Sequence, residues 1–139
     1  MSEVAIICVD DEPAVLDTLK EQIKNFFGDR YLCEVAESVE EAWEIIEELN
    51  EEGIRICLIV SDWLMPRIRG DEFLIDVHRR FPEIIKVMLT GQADAEAVER
   101  AYKQAALHRC LRKPWKEDEL IEAIQSGMEK LYAARNSLR

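Results

Sequence analysis

Three acidic residues follow a short apolar run near the start of the chain. Residues 5–9 read AIICV, and Asp10, Asp11 and Glu12 come directly after them. Adjacent carboxylates repel each other, so ionising all of them is costly unless a helix terminus, a basic side chain or a cation compensates their charge. Asp10 or Asp11, taken alone, could cap a helix. No basic residue precedes Lys20, so any compensating charge must come from a distant part of the chain or from a bound ion.

Polar residues follow three later segments in the same way. The segments are ICLIV (56–60) before Asp62, IIKVML (84–89) before Thr90 and Gly91, and HRCLR (108–112) before Lys113 and Pro114. Each of these residues also has an ordinary structural explanation: Asp62 could begin a turn, Thr90 is common in strands, and a lysine is usually solvated. Their chemical types are complementary, however, because carboxylates bind a cation, whereas a hydroxyl and an ammonium group bind phosphoryl oxygens.

The elements that would carry these residues alternate regularly along the chain. The predicted strands are AIICV, ICLIV and IIKVML, which are apolar throughout, and CEVAE (33–37) and HRCLR, which alternate in polarity. Apolar residues recur at helical spacing after each strand, five times in all. One such helix begins near Pro13, and the next has Ser38 as its predicted N-cap, with Glu41 placed to complete a capping box.

A strand–helix unit repeated five times predicts an α/β fold with a parallel sheet covered by helices on both faces. The two strands of alternating polarity, the second and the fifth, suit the edges of the sheet. This placement predicts a flavodoxin-like (βα)5 doubly wound sandwich with strand order 2-1-3-4-5. Ligands of such sheets bind at the carboxyl ends of the strands, where the polar residues described above would converge.

The converging residues favour phosphoryl chemistry assisted by a hard divalent cation. Oxygen ligands completed by water and a phosphoryl oxygen suit Mg²⁺, and a carboxylate can itself act as the nucleophile and form an aspartyl phosphate. The segment DDEPAV after the first strand lacks the glycines of a nucleotide phosphate loop. We therefore expect a transferred phosphoryl group rather than a bound nucleotide.

Composition limits the class of protein. The chain has 139 residues, 48% of them hydrophobic and 34% charged, as expected of one globular domain. A formal net charge of −11 argues against contact with nucleic acid, and no apolar run reaches membrane-spanning length, so the expected location is the cytoplasm. The four cysteines are widely and irregularly spaced, which predicts reduced thiols in the core rather than disulfides or a metal site.

Four motifs together resemble the receiver domains of bacterial two-component response regulators. They are IICVDDEP, SDWLMPRIRGDEFL, VMLTGQAD and CLRKPW, and they extend over nearly the whole chain. The resemblance implies that Asp62 accepts a phosphoryl group from the phosphohistidine of a sensor histidine kinase or a phosphotransfer protein. It also implies a signalling domain that assists only its own phosphorylation and dephosphorylation, rather than an enzyme acting on other substrates.

The resemblance further assigns the residues of the site. Asp10 and Asp11 would organise Mg²⁺, or Mn²⁺ in its place, with Asp11, Asp62 and the Leu64 backbone carbonyl as direct ligands. The phosphoryl group would contact Thr90, which precedes Gly91, and Lys113, which would be turned inward by a cis bond to Pro114. Gly70 would lie in the tight turn that opens the third helix.

One position departs from the family pattern. Receivers usually carry Tyr or Phe three residues before the lysine, and the ring moves inward when the threonine engages the phosphoryl group. The residue at that position here is Cys110. The departure bears on the coupling between threonine and aromatic ring, and not on the phosphorylation chemistry.

Three other functions fit parts of the sequence. A receiver-like interaction module that signals without the usual switch would keep the fold, but the acidic pair, Asp62 and Lys113 are all present. A phosphatase of the haloacid-dehalogenase type needs Asp-x-Asp after the first strand, whereas Asp10 and Asp11 are adjacent. A redox sensor would use Cys110, although a packing role is the simpler expectation.

The predicted receiver domain comprises residues 1–127, and residues 128–139 are the end of the last helix or a linker. Ile124, Leu131 and Leu138 recur every seven residues, a weak indication that the helix continues towards an output domain. A fused output domain or a homodimer is therefore an expected partner, whereas nucleic acid and membrane are not.

Overall fold

The computed structural model describes residues 3–91 and 95–137. Five strands alternate with five helices along the chain. The strands are β1 (Val4–Val9), β2 (Leu32–Ala36), β3 (Arg55–Asp62), β4 (Ile85–Thr90) and β5 (Arg109–Arg112). The helices are α1 (Pro13–Phe27), α2 (Val39–Glu51), α3 (Gly70–Arg80), α4 (Ala95–Gln104) and α5 (Glu117–Ser137).

The strands form one parallel sheet in the order β2-β1-β3-β4-β5. The predicted flavodoxin-like order is therefore confirmed, including the two edges. The inner strands are almost wholly buried because helices cover both of their faces, which explains their continuous apolar runs. β2 is mostly half-buried, in agreement with its mixed polarity.

Two apolar layers hold the helices to the sheet. One face packs against α1 and α5, and the opposite face packs against α2, α3 and α4. Alternate residues of each strand point to opposite layers, so Ile6 belongs to the first layer and Ile7 to the second. Lys86 is an exception within β4: its side chain is buried, and its Nζ lies 2.7 Å from Nδ1 of His78. No helix within residues 3–91 and 95–137 is both long and apolar enough to cross a membrane.

Local signals in the sequence explain where two helices begin. Pro13 is the first residue of α1, where its missing N–H leaves no intrahelical hydrogen bond unmade. Ser38 is the N-cap of α2, and its hydroxyl accepts a hydrogen bond of 3.1 Å from the backbone N–H of Glu41. The predicted N-cap of α2 is therefore confirmed.

Helix α5 continues without a break through the predicted domain boundary at residue 127. Met128 and Leu131 are buried in the same apolar layer as α1. Gly127 lies so close to β4 that an added Cβ would be 2.8 Å from a methyl group of Ile85. A glycine in this helix interior thus allows α5 to approach the sheet. The boundary at 127 stays a prediction, and Leu138 lies outside the described residues.

Helix α3 begins directly against the end of β3. The backbone N–H of Gly70 donates a 2.7 Å hydrogen bond to the carbonyl of Trp63. A Cβ added to Gly70 would overlap the backbone carbonyl oxygen of Asp62. Only a glycine therefore fits where the start of α3 crosses the peptide of Asp62, which extends the predicted role of Gly70 at the opening of α3.

The Gly70→Ala substitution is expected to lower the free energy of unfolding by about 2 kcal/mol or more, because the new methyl group overlaps main-chain atoms that cannot move independently. Urea unfolding followed by circular dichroism measures the change. Gly91→Ala is the matched control, since among the described residues no atom lies within 4 Å of a Cβ placed there. We expect that control to stay within about 0.5 kcal/mol of the unsubstituted protein. Equal stability of the two variants would contradict the proposed contact.

Candidate functional site

The carboxyl ends of the strands bring the predicted residues to one edge of the sheet. Asp10 follows β1, Asp62 and Thr90 end β3 and β4, and Lys113 follows β5. Asp10, Asp62 and Thr90 are each at most 5% exposed, whereas Asp11 is exposed. The convergence follows from the topology, since parallel strands all end at the same edge.

The ammonium group of Lys113 lies between the two buried carboxylates. Its Nζ donates a 2.8 Å hydrogen bond to Oδ2 of Asp10 and lies 3.4 Å from Oδ1 of Asp62. Glu12 is 3.7 Å away but is largely exposed. The backbone N–H of Lys113 donates to the carbonyl of Thr90 at 2.8 Å, which fixes the chain at the start of the cis Lys113–Pro114 peptide. The distant basic group that the acidic run requires is therefore Lys113.

Asp10 also organises the turn into the first helix. Its Oδ1 accepts a 2.8 Å hydrogen bond from the backbone N–H of Glu12, the residue that precedes α1. Glu12 occupies the N-cap position but makes no side-chain capping bond. Asp10 thus supports the start of the helix and binds Lys113 at the same time, so the two explanations for this carboxylate do not compete.

The three aspartates are close enough to share one cation. Oxygen atoms from Asp10, Asp11 and Asp62 lie within 4.8 Å of one another. Three carboxylates facing one ammonium group leave an excess of negative charge in a largely buried place. A donor set made only of oxygen atoms fits a hard divalent cation such as Mg²⁺.

Comparison with known proteins assigns the chain to a family. The sequence profile described as "Response regulator receiver domain" matches residues 6–125. The chain belongs to the response regulator receiver domains. The family resemblance in the four motifs is thereby confirmed, and the function of the domain is that of a receiver in two-component signalling.

Individual relatives agree with this assignment. The chain is 29% identical to the hydrogenase transcriptional regulatory protein HoxA of Cupriavidus necator over 127 residues, which are 91% of this chain and 24% of HoxA. It therefore spans about a quarter of the length of that regulator. A CheY-like receiver domain protein from Methanospirillum hungatei JF-1 superimposes with a TM-score of 0.81 at 27% identity, covering 96% of this chain and 99% of that one.

A second solved structure has a more similar backbone and a more distant sequence. The signal receiver domain of an HD domain-containing protein from Pseudomonas fluorescens Pf-5 gives a TM-score of 0.85 at 22% identity, covering 98% of this chain and 94% of that one. At this identity the likeness shows the shared fold alone.

Burial changes the proton affinity of the receiver's charged groups. Desolvation, together with the nearby charge of Asp10, raises the pKa of Asp62 to about 6, although Lys113 acts in the opposite direction. Desolvation also raises the pKa of Asp10. Burial alone would lower the pKa of Lys113, but its hydrogen bond to Asp10 and the charge of Asp62 outweigh that effect and raise it. Lys113 therefore stays protonated, whereas the charge on Asp62 is costly.

The remaining predicted residues occupy different surroundings. Leu64 lies in the loop after Asp62 and is 60% exposed, and the role of its carbonyl as a ligand stays a prediction. Gly91 is exposed at the end of β4. Cys110 is half-buried on β5 opposite Met88, and burial raises the pKa of its thiol, which argues against a reactive sensor cysteine. All four cysteines are free thiols, of which Cys8 and Cys57 are buried and Cys33 and Cys110 are half-buried.

One buried charged group near the site is not predictable from the sequence. Asp71 is fully buried at the start of α3, and its nearest charged partner, Arg100, lies on α4. A carboxylate in the first turn of an amphipathic helix usually lies in solvent, where it interacts favourably with the helix dipole. The residue type of Asp71 therefore does not indicate that it is buried or paired. Only the packing of α3 against α4 brings the two side chains together.

In the absence of metal, the Asp62→Asn substitution is expected to stabilise the domain at pH 7.5 by about 1–3 kcal/mol. Asp62 ionises near pH 6 when folded and near its ordinary value of 3.8 when unfolded. The folded state therefore binds more protons between these values, and its stability falls as pH rises through that window. The amide carries no charge and avoids this loss, while Asp10 still binds Lys113.

Urea unfolding in EDTA at pH 7.5 and at pH 5.5 measures the effect. The advantage of the Asp62→Asn variant should be smaller at pH 5.5, where more of Asp62 is protonated. Asp29→Asn, which neutralises an exposed carboxylate, is the control and should change stability little at either pH. An Asn variant no more stable than the unsubstituted protein at pH 7.5 would contradict the raised pKa.

Proposed function

We propose that Asp62 is the phosphoacceptor of this receiver domain. The donor would be the phosphohistidine of a sensor histidine kinase or of a phosphotransfer protein. The observation that carries the proposal is the position of the Asp62 carboxylate at the end of β3, 3.4 Å from the Lys113 ammonium and beside Asp10 and Asp11. A carboxylate in such surroundings has both the nucleophile and the electrostatic support that transfer requires.

The transfer exchanges one bond to phosphorus for another. A carboxylate oxygen of Asp62 would attack the phosphorus atom, the P–N bond of the phosphohistidine would break, and the imidazole would leave with the electron pair while taking up one proton from solvent. The attacking oxygen must be ionised, and the pKa of about 6 leaves Asp62 mostly charged at neutral pH. Lys113 would move its ammonium contact from Asp62 to a phosphoryl oxygen, and the Thr90 hydroxyl would donate to another.

The acidic cluster fits Mg²⁺, or Mn²⁺ in its place. Asp10 and Asp11 would organise the ion, with Asp11, Asp62 and the Leu64 backbone carbonyl as its direct protein ligands. The fit rests on oxygen donors within 4.8 Å of one another and on their excess negative charge. When bound, such an ion offsets the negative charge of the carboxylates and of the incoming phosphoryl group. Exposure of Asp11 leaves room for water ligands, which Mg²⁺ usually retains.

The proposed role is that of a switch within a larger assembly. HoxA is a transcriptional regulator of which this chain spans about a quarter, which supports an output domain in the parent protein. Phosphorylation at Asp62 would change contacts with such a domain, with a partner protein or with a second copy of the receiver. Residues 1–127 would form the receiver and residues 128–139 the link to the output. A cytoplasmic location belongs to the same proposal.

The alternative of a receiver-like module that signals without phosphorylation is not favoured. Asp10, Asp11, Asp62 and Lys113 are all present and close together. The cysteine at position 110 leaves this group intact, because it lies on β5 opposite Met88 and is not a member of the cluster. The receiver is a signalling domain, and we propose that the only reactions it assists are its own phosphorylation and dephosphorylation.

Incubation with acetyl phosphate and Mg²⁺ is expected to add one phosphoryl group, measured as a mass increase of the intact protein. Asp62→Asn should abolish the addition, because an amide oxygen is a poor nucleophile, and EDTA should abolish it in the unsubstituted protein. Asp29→Asn again removes one exposed carboxylate and should leave the labelling unchanged. Labelling of the Asp62→Asn variant to the same extent as the unsubstituted protein would refute the assignment.

A further inference from the structure

A buried carboxylate at the start of α3 joins that helix to α4. Asp71 is the second residue of α3 and has no solvent exposure. Its Oδ2 accepts a hydrogen bond of 2.6 Å from Nη1 of Arg100, which lies in the middle of α4. The Arg100 side chain is 33% exposed, and a short charge-assisted bond to a fully buried carboxylate is among the stronger side-chain contacts in proteins. The two helices are therefore joined at one defined point.

The second arginine near Asp71 binds it less closely. Nε of Arg69 lies 3.2 Å from Oδ1 of Asp71, yet neither atom has a well-aligned hydrogen-bond partner among the described residues. Arg69 also lies 3.3 Å from the exposed carboxylate of Glu72, and its own side chain is 42% exposed. Arg100 therefore supplies the main compensation for the charge of Asp71.

The Arg100–Asp71 ion pair lies next to the glycine that packs against the backbone of Asp62, the proposed phosphoacceptor. Gly70, the neighbour of Asp71, packs against the Asp62 carbonyl and donates its N–H to Trp63. A displacement of the start of α3 must therefore displace the peptide of Asp62. Helix α4, which carries Arg100, is the first helix after Thr90 in the chain. The Arg100–Asp71 pair thus links the helix that follows Thr90 to the backbone at Asp62.

We propose that Arg100 is a positioning residue for the phosphorylation site. Its ion pair with Asp71 makes the position of α4 depend on the position of the α3 start, and hence on the state of Asp62. The inference rests on the proposed function of Asp62 as phosphoacceptor. It gives this receiver a route from the acceptor to α4 that does not pass through Cys110 on β5, the position where an aromatic side chain is missing.

Beryllofluoride, a phosphoryl mimic, tests the coupling in the intact chain. Its dissociation constant in Mg²⁺ is measured by tryptophan fluorescence, since Trp63 follows Asp62 directly. The response of α4 is measured by hydrogen exchange with and without saturating beryllofluoride. Arg100→Gln is expected to weaken beryllofluoride binding about fivefold and to abolish the exchange response of α4. Arg100→Lys keeps the charge and should restore a large part of both.

Two further variants separate positioning from general stability. The double variant Asp71→Asn, Arg100→Gln leaves no unpaired buried charge, so it should fold and still lack the α4 response. Lys103→Gln removes one positive charge from the same helix, where Lys103 pairs with the exposed Glu99 at 2.7 Å. This matched control should bind beryllofluoride and respond in α4 as the unsubstituted protein does.

The outcomes distinguish the inference from the proposed function. Wild-type affinity and a wild-type α4 response in Arg100→Gln and in the double variant would overturn the inference, and the pair would then be purely structural. An unsubstituted protein that binds beryllofluoride without any response in α4 would also overturn it. An unsubstituted protein that fails to bind beryllofluoride in Mg²⁺ would instead overturn the proposed function, and the inference with it.

Discussion

The ammonium group of Lys113 is the contact on which the site depends. Asp10 and Asp62 are both buried, and their charges would repel each other across a short distance in surroundings of low polarity. Lys113 lies 103 residues from Asp10 in the chain, yet it reaches both carboxylates. Because it follows the edge strand β5, it also ties that edge to the centre of the sheet. One lysine thus offsets the repulsion between two carboxylates and holds the edge strand to the rest of the sheet.

The order of the strands determines how many carboxylates Lys113 must compensate. β1 and β3 are neighbours, so Asp10 and Asp62 lie side by side, and the exposed Asp11 adds a third carboxylate. One ammonium cannot neutralise three carboxylates, and the remaining negative charge favours a cation at this place. The domain therefore keeps a locally unfavourable charge arrangement at the carboxyl ends of its strands, and the two apolar layers on either side of the sheet offset the cost.

The sequence predicted the fold and most of the site because both follow from strands. Asp10, Asp62, Thr90 and Lys113 each end or follow a strand, and parallel strands end at one edge, so chain position alone placed them together. The Arg100–Asp71 pair was not predictable in this way. Its members are 29 residues apart on two helices, and neither helix pattern shows which face will meet the other.

Two further features could be recognised only from the tertiary structure. Lys86 interrupts an apolar strand, and its type predicts exposure, but β4 is buried on both faces and the amine instead contacts the ring of His78. Gly127 weakens a helix in isolation, yet it lets α5 lie against Ile85. In both cases the preference of the residue type is outweighed by the elements that pack against it. Those elements are distant in the chain, so the neighbouring residues in the sequence do not predict the outcome.

The length of α5 has a mechanical consequence. With 21 residues it extends for about 31 Å, whereas the six residues of β4 extend for about 20 Å, so the helix is longer than the sheet that it covers. Leu131 is buried against the core, and the next residue, Tyr132, is exposed. The helix continues from Leu131 to Ser137 without a break, so this segment moves together with the part of α5 that packs on the sheet. A tilt of α5 at the sheet is enlarged at the end of this segment, with no intervening loop to absorb it.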